Sequence, residues 1–347
     1  VRLMLEIEVV RLAAMRRDDM VYVDKTEMAW NLVRLTGRYF LSRPRRFGKS
    51  LFLDTLKEIF EGNQELFKGL FIHDQWDWKQ RFPVIKIDFA GGVLTSREQL
   101  DEKLREILHA NLRRLGVTTP NKSVSGMFSG LISGAASKHG LPAVVLIDEY
   151  DKPILDNIDD PATAAVMREG LKNLYSVLKE QDANLRFVFM TGVTTFSKVT
   201  LFSGANQFTD ITIDARYSSI CGYTESDLRT HFAAHLKDAD LDEVRLWYNG
   251  YRWTGGESVY NPYDILLFID KGFSFRNYWF ESGSPDFLVK LFRGNRYFLP
   301  TLEDCQVTEE IIDSFDIDRI NPLTLLFQSG YLTIERTQTI MRRLFFQ

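Results

Sequence analysis

Residues 143–149 read Ala-Val-Val-Leu-Ile-Asp-Glu. An unbroken apolar run rich in β-branched residues does not alternate, so it suits a strand buried on both faces. Such strands belong to parallel sheets covered by helices. This stretch commits the chain to an α/β fold. The run ends in two carboxylates, Asp148 and Glu149, at the carboxyl edge where open α/β sheets place their ligands. The plainer reading is a capping pair at a strand-to-helix turn.

A second stretch decides between these readings. Residues 42–50 read Ser-Arg-Pro-Arg-Arg-Phe-Gly-Lys-Ser, after the apolar Tyr39-Phe40-Leu41 and before a helical pattern of Leu51, Leu53, Leu56, Ile59 and Phe60 that closes at Gly62. Strand, turn, Gly-Lys-Ser and helix form the setting of a phosphate-binding loop. A turn feeding a helix N-terminus aims several unpaired N–H groups at one spot, and the helix dipole favours negative charge there. Gly48 lets the backbone approach an oxygen. Lys49 can place a point charge on the β- and γ-phosphates, and Ser50 offers a hydroxyl to a magnesium ion. The usual first glycine of such loops is Arg43 here, and Pro44 follows it, removing one N–H and pushing Arg43 towards an extended backbone. The N–H groups of Arg46 to Ser50 are left to form the cradle, with Arg43, Arg45 and Arg46 compensating in charge. The candidate nucleotide contacts are therefore Arg45, Arg46, Phe47, Gly48, Lys49, Ser50 and Leu51. The acidic pair then follows in the order an ATPase needs. Asp148 would hold magnesium with Ser50, and Glu149 would polarise the attacking water. Residues 185–192 form a strand ending in Thr191, which fits a polar sensor if that strand lies between the loop strand and the acidic strand. A turn-starting threonine is the competing reading.

The remaining pattern sets the organisation. Asp24 with Glu27 has the form of a capping box before a helix ending near Gly37. A strand is expected at 83–89, helices at 95–116, 126–138 and 162–180, and a fifth strand at Asp210–Asp214. The pattern shifts near 224. Helices are expected at 224–236, from Asn261-Pro262 onward, at 284–293 and at 308–328, with a short strand at 330–334 that has the look of a winged helix. The expected architecture is a three-layer P-loop NTPase sandwich with a parallel sheet over 1–223, followed by a helical lid and winged-helix-like region over 224–347. The aromatic group Trp247 to Trp253 would pack that lid on the core.

Of the 347 residues 45% are hydrophobic and 26% charged, with a net charge of −4. That balance gives no general basic footprint for nucleic acid. Two distant cysteines, Cys221 and Cys305, without metal-ligand spacing indicate a reducing, cytoplasmic setting. No apolar run reaches the ~18 residues of a membrane span. Val1 to Met15 lacks a cleavage site and begins without Met, and is read as a truncated start.

Weaker candidates carry plainer readings. His231 and His235 sit at i, i+4, a spacing that can bind zinc, but no third ligand is evident. Asp101-Glu102-Lys103 lies on a helix and reads as a solvated face. The arginines beside Gly48 fit a nucleotide phosphate better than a nucleic-acid patch, and Arg45 or Arg46 reaches either the γ-phosphate or Asp151 or Asp156. Ser197-Lys198 reads as a second sensor or a solvated turn.

Several blocks together resemble the bacterial AAA-ATPase-like family. They are Tyr22-Val23-Asp24-Lys25-Thr26, Leu41 to Ser50, Leu146 to Ile154, Thr191-Gly192-Val193, Phe196-Ser197-Lys198, Trp247 to Tyr251 and Tyr260-Asn261-Pro262. Arginine at position 43 is that family's own form of the loop. The resemblance implies ATP at Lys49 and Ser50, with Asp148 and Glu149 at magnesium and water. It also implies kinship with ATPases that carry a winged helix after the core, and in that kinship Val23 and Asp24 lie near the adenine. Many members continue into a PD-(D/E)XK nuclease-like domain, which is expected to be missing here. The ending after Ile334 departs from the family's usual continuation and fits a truncation or frameshift.

Two classes of function follow. One is a magnesium-dependent ATPase whose hydrolysis resets a conformational switch. The other is a nucleotide-gated module with little turnover that holds a protein or nucleic acid.

Overall fold

Parallel pairing needs long crossovers, and the helical stretches between the apolar runs supply them. The computed structural model describes residues 11–195, 208–253, 256–282, 306–308, 321–340 and 343–346. Five strands, β1 (Gly37–Ser42), β2 (Val84–Asp88), β3 (Ala143–Asp148), β4 (Leu185–Gly192) and β5 (Thr209–Asp210), form one sheet in the order β2-β3-β4-β1-β5. All their pairings are parallel. Strand β3 is buried along its whole length, as its unbroken apolar run requires. Strand β4 lies between β1 and β3, so Thr191, its penultimate residue, stands between the end of the strand that feeds the Gly-Lys-Ser turn and the end of the acidic strand, as expected.

Helices cover both faces. Short α1 (Leu12–Arg17), α2 (Thr26–Val33) and α3 (Lys49–Phe60) pack with Leu41, Val144, Leu146, Phe187 and Phe189 on one face. On the other, α4 (Arg97–Leu115), α5 (Val124–His139), the single turn α6 (Lys152–Leu155) and α7 (Pro161–Glu180) enclose Ile85, Ile87, Val145, Ile147 and Val188. Adjacent residues of β3 thus serve opposite cores, which is the three-layer α/β sandwich. Ser96, Ser123 and Asp160 cap α4, α5 and α7 with side-chain oxygens.

Beyond β5 the chain departs from a simple strand. Asp210 accepts the N–H of Thr212 at 2.8 Å, and Thr212 Oγ1 accepts the N–H of Ser42 at 3.0 Å. A side chain takes over the ladder, and the expected strand over 210–214 stops after two residues. The capping box at Asp24 is also corrected. Its two carboxylate oxygens accept the N–H groups of Thr26 and Phe71, both at 2.8 Å, and α2 has no side-chain cap.

A third cluster gathers Leu228, Phe232, Val244, Tyr248, Tyr260, Ile265 and Phe268 with Val23 from the N-terminal side. It is built on α8 (Glu225–His231), α9 (Leu241–Tyr248), the pair β6 (Asn249–Tyr251) and β7 (Val259–Tyr260), α10 (Pro262–Asp270) and α11 (Tyr278–Ser282). Thr224 and Asp227 make a true capping box, and Asn261-Pro262 starts α10 as expected. Of the helix expected at 308–328, Thr308 lies instead in β8 (Val307–Thr308), residues 309–320 lie outside the described residues, and α12 (Pro322–Gln328) is helical as expected. The strand expected at 330–334 begins later, as β9 (Thr337–Ile340) paired antiparallel with β10 (Arg343–Phe346). Thr333 Oγ1 accepts the N–H of Arg252, and Ile334 is buried, so this segment is pinned to the protein rather than to a strand partner. The helix expected at 284–293 and the Ser197-Lys198 pair lie outside the described residues.

Asp264, in the first turn of α10, is 1% exposed, and neither carboxylate oxygen makes a hydrogen bond of normal geometry. Burial raises its pKa to about 7, opposed only by the Trp279 backbone. In the unfolded chain it titrates near ~3.9, so between roughly pH 4 and 7 the native state binds the extra proton and stability falls as pH rises. Asp264→Asn removes this term. Its stability relative to wild type should improve by about 2–3 kcal/mol between pH 5 and 8 in urea unfolding. A difference that does not change with pH would show that Asp264 does not titrate in this window.

Candidate functional site

The loop between β1 and α3 is shaped by residues that point away from it. Gly48 caps α3 with φ +90°, a left-handed conformation that favours glycine, and no atom lies within 4 Å of where its Cβ would be. No side chain caps α3, so its first-turn N–H groups face the loop unclaimed by a capping group. Lys49 is buried, and its Nζ donates to the carbonyls of Arg43 at 2.9 Å and Pro44 at 2.8 Å. Burial lowers its pKa, while Asp148 and Glu149 oppose the shift. A glycine-opened turn, a helix N-terminus and a buried ammonium among carboxylates fit a polyphosphate and its cation.

The carboxylates lie across the next two strand ends. Asp148, 1% exposed, accepts Thr191 Oγ1 at 2.6 Å. Glu149 is half-buried with φ +50°, a conformation rare outside glycine and enriched at functional sites. Burial raises its pKa, and Asp148 adds to that, while Lys49 opposes it. Asp151 is fully buried. Its Oδ2 accepts Val193 N at 3.0 Å, Thr194 N at 2.6 Å and Thr194 Oγ1 at 2.7 Å. Burial pushes its pKa up against those bonds. Tyr150 donates to the Thr194 carbonyl, and an added Cβ on Gly192 would come within 2.5 Å of the Tyr150 ring.

Lys49, Ser50, Asp148, Glu149 and Thr191 thus meet at one sheet edge. Other candidates point elsewhere. Arg43 is 1% exposed and turns away from the cradle. Its guanidinium donates to the carbonyls of Ser42, Thr212 and Tyr217 and lies 4.0 Å from the ring centre of Trp253. Burial pushes its pKa down to about 10, so it remains charged at neutral pH. The expected compensation by three loop arginines is therefore two, Arg45 and Arg46, both exposed. Neither finds Asp151 or Asp156: Asp151 is filled by Val193 and Thr194, and Asp156 pairs with Lys152. Arg46 lies over Tyr263 at 5.1 Å. The Phe47 side chain is buried against Tyr251 at 4.7 Å and Trp253 at 5.5 Å, leaving only its backbone to the loop. Leu51 is half-buried on the first turn of α3. Val23 packs in the third cluster, and Asp24 is occupied by backbone donors. No group of His, Cys, Asp and Glu capable of holding a metal on its own occurs among the described residues, His231 and His235 included.

The family profile described as Predicted AAA-ATPase matches residues 6–202, more than half of the chain. The chain belongs to that family. It is also similar to a protein of Azotobacter chroococcum mcd 1 described as "Uncharacterized protein in vnfD 5'region", 51% identical over 323 residues, which cover 93% of this chain and 62% of that protein. The chain therefore spans less than two thirds of that relative's length. No helix among the described residues is long and apolar enough to cross a membrane.

Within this AAA-ATPase family member, periodicity marked the strand ends but gave no sign of Asp151 or Arg43 as organising groups. Asp151→Ala strips the acceptor from three buried donors. A buried donor left unsatisfied costs about 1–3 kcal/mol, so the variant should lose at least about 3 kcal/mol in urea unfolding. A loss under about 1 kcal/mol would mean that the 193–194 segment holds its place without this carboxylate.

Proposed function

We propose that the chain binds ATP with magnesium at the sheet edge and hydrolyses it, using the cycle as a conformational switch. The observation that carries the reading is the meeting of the Gly48–Ser50 loop with Asp148, Glu149 and Thr191 across neighbouring strand ends. The N–H groups of Arg46 to Leu51 and the Lys49 ammonium hold the phosphates, with Arg45 and Arg46 at the open side. Ser50 and Asp148 hold magnesium, which when bound neutralises charge on the β- and γ-phosphates. Glu149 orients the attacking water and Thr191 fixes the face of Asp148 turned to the site. Val23 and Asp24 border the adenine through their backbone. To reach phosphate, Lys49 exchanges its bonds to the neutral Arg43 and Pro44 carbonyls for bonds to an anion, in which both partners are charged. Residues 224–347 act as the lid over the 1–223 core, and the α12, β9 and β10 succession supports a winged-helix-like end.

The second reading, a nucleotide-gated module with little turnover and a protein or nucleic-acid partner, is favoured by Tyr251 and Trp253. These C-terminal aromatics seat directly on Phe47 of the loop, so a change in the loop presses on residues of the C-terminal part. The two readings share the binding step and divide at Glu149.

Lys49→Ala should weaken ATP binding by about 1–3 kcal/mol, the scale of a charge-assisted contact, in a protein whose fold survives. Titration calorimetry checks this, and an unchanged affinity removes the loop from the site. Glu149→Gln keeps shape and should retain ATP affinity while turnover falls by about 10²-fold or more in a phosphate-release assay. Normal hydrolysis by that variant would reject Glu149, and negligible hydrolysis by the wild type would favour the gated module.

A further inference from the structure

The C-terminal part touches the site at a place the ATP reading leaves unassigned. Gln328, the last residue of α12, is 4% exposed. Its Oε1 accepts the N–H of Thr195 at 3.0 Å, and its Nε2 donates to Thr195 Oγ1. One primary amide thus matches both the backbone and the hydroxyl of a buried threonine 133 positions away in sequence. An amide is the neutral side chain that offers donor and acceptor side by side.

Thr195 continues a segment already held at every step. Thr191 donates to Asp148, and its carbonyl accepts the N–H of Tyr150 at 3.1 Å. The Gly192 carbonyl accepts the N–H of Arg43 at 3.2 Å, on the phosphate loop itself. Val193 and Thr194 are bound by Asp151. Beyond Gln328, Gly330 lies so close to Pro44 of the loop that a Cβ there would meet its Cγ at 2.9 Å. Leu325 and Leu326 of α12 pack in the same core as Val193 and Ile154. The helix therefore abuts the loop on one side and clasps the segment after the sensor strand on the other.

We propose that Gln328 is a positioning residue that couples α12 to the nucleotide site through Thr195. This rests on the ATP reading above and adds how occupancy is reported to the C-terminal part. A shift at Asp148 and Thr191 has no slack to absorb it over residues 192–194, so it reaches Thr195 and its clasp. By linkage, whatever holds α12 biases nucleotide affinity by the same free energy. A bond serving stability alone would lower the unfolding midpoint and leave the nucleotide response of α12 intact.

Hydrogen exchange on the full chain, with and without magnesium and a non-hydrolysable ATP analogue, separates the two. Wild type should gain protection at 43–52 and at 322–334. Gln328→Ala should keep the first and lose about fivefold or more of the second, the lower end of typical coupling between sites. Gln328→Glu retains an acceptor for the Thr195 N–H and for its hydroxyl, and should restore part of the response. If Gln328→Ala does not fold, Thr195→Val tests the hydroxyl half of the clasp, replacing the hydroxyl by a methyl group while the bond from the Thr195 N–H remains, and should lose part of the response at 322–334. A response at 322–334 that persists in full without the clasp overturns the proposal, as does a wild type that responds at 43–52 alone. No response at 43–52 in wild type rejects the ATP reading itself, and the coupling with it.

Discussion

The site is held in register by one buried carboxylate. Asp151 sits a short turn past β3 and binds the segment just past β4, so two neighbouring strand ends are fastened together where the sheet stops. A buried charge is tolerated only when its lone pairs are filled. Two backbone N–H groups and a hydroxyl fill it here, and these are groups that would otherwise be orphaned in the same interior. The left-handed backbone at Glu149 is over-determined by its surroundings, with Tyr150 wedged against Gly192 and Asp151 anchored one residue further. The Glu149 N–H donating to Asp148 and the Tyr150 N–H donating to the Thr191 carbonyl, both at 3.1 Å, hold the same turn from either side.

Much of the fold was legible because a doubly buried parallel strand cannot be written in any other pattern. Ala143–Ile147 announced both faces, and the Gly-Lys-Ser turn announced which edge carries the site. Thr191 was legible for a similar reason, since a strand that ends in a polar residue must place it at that edge. What escaped notice depended on partners distant in sequence. Ile211, Thr212 and Ile213 have strand composition, yet the Thr212 hydroxyl oxygen accepts the Ser42 N–H in place of a ladder partner and the chain turns. Asp24 and Glu27 have capping-box spacing, yet Phe71 claims the Asp24 carboxylate. In both cases a local propensity worth about 1 kcal/mol yields to a tertiary hydrogen bond of similar size with a packed neighbour.

The C-terminal part is more than a cover. Its aromatic pair Tyr251 and Trp253 closes over Phe47, Tyr263 lies under Arg46, and Lys25 reaches Asp227 at 2.7 Å. Val23 is buried among the apolar residues of that C-terminal part. The N-terminal strap, the Arg43–Ser50 loop and the C-terminal part therefore share side chains, and a boundary drawn at any single residue near 224 would cut through them.

Arg43 makes the loop depend on a residue far along the chain. At a position where related loops use the smallest residue, this one uses a large cation that feeds three backbone carbonyls and stacks on an indole. Lysine cannot reproduce a planar fork over an aromatic face, so the exchange usually called conservative is barred. Replacement by glycine would leave Trp253 over a void and three acceptors bare. The mouth of this loop is therefore held open by a side chain that faces backward into the protein, and the indole of Trp253 is as much a part of the loop's framework as any residue within it.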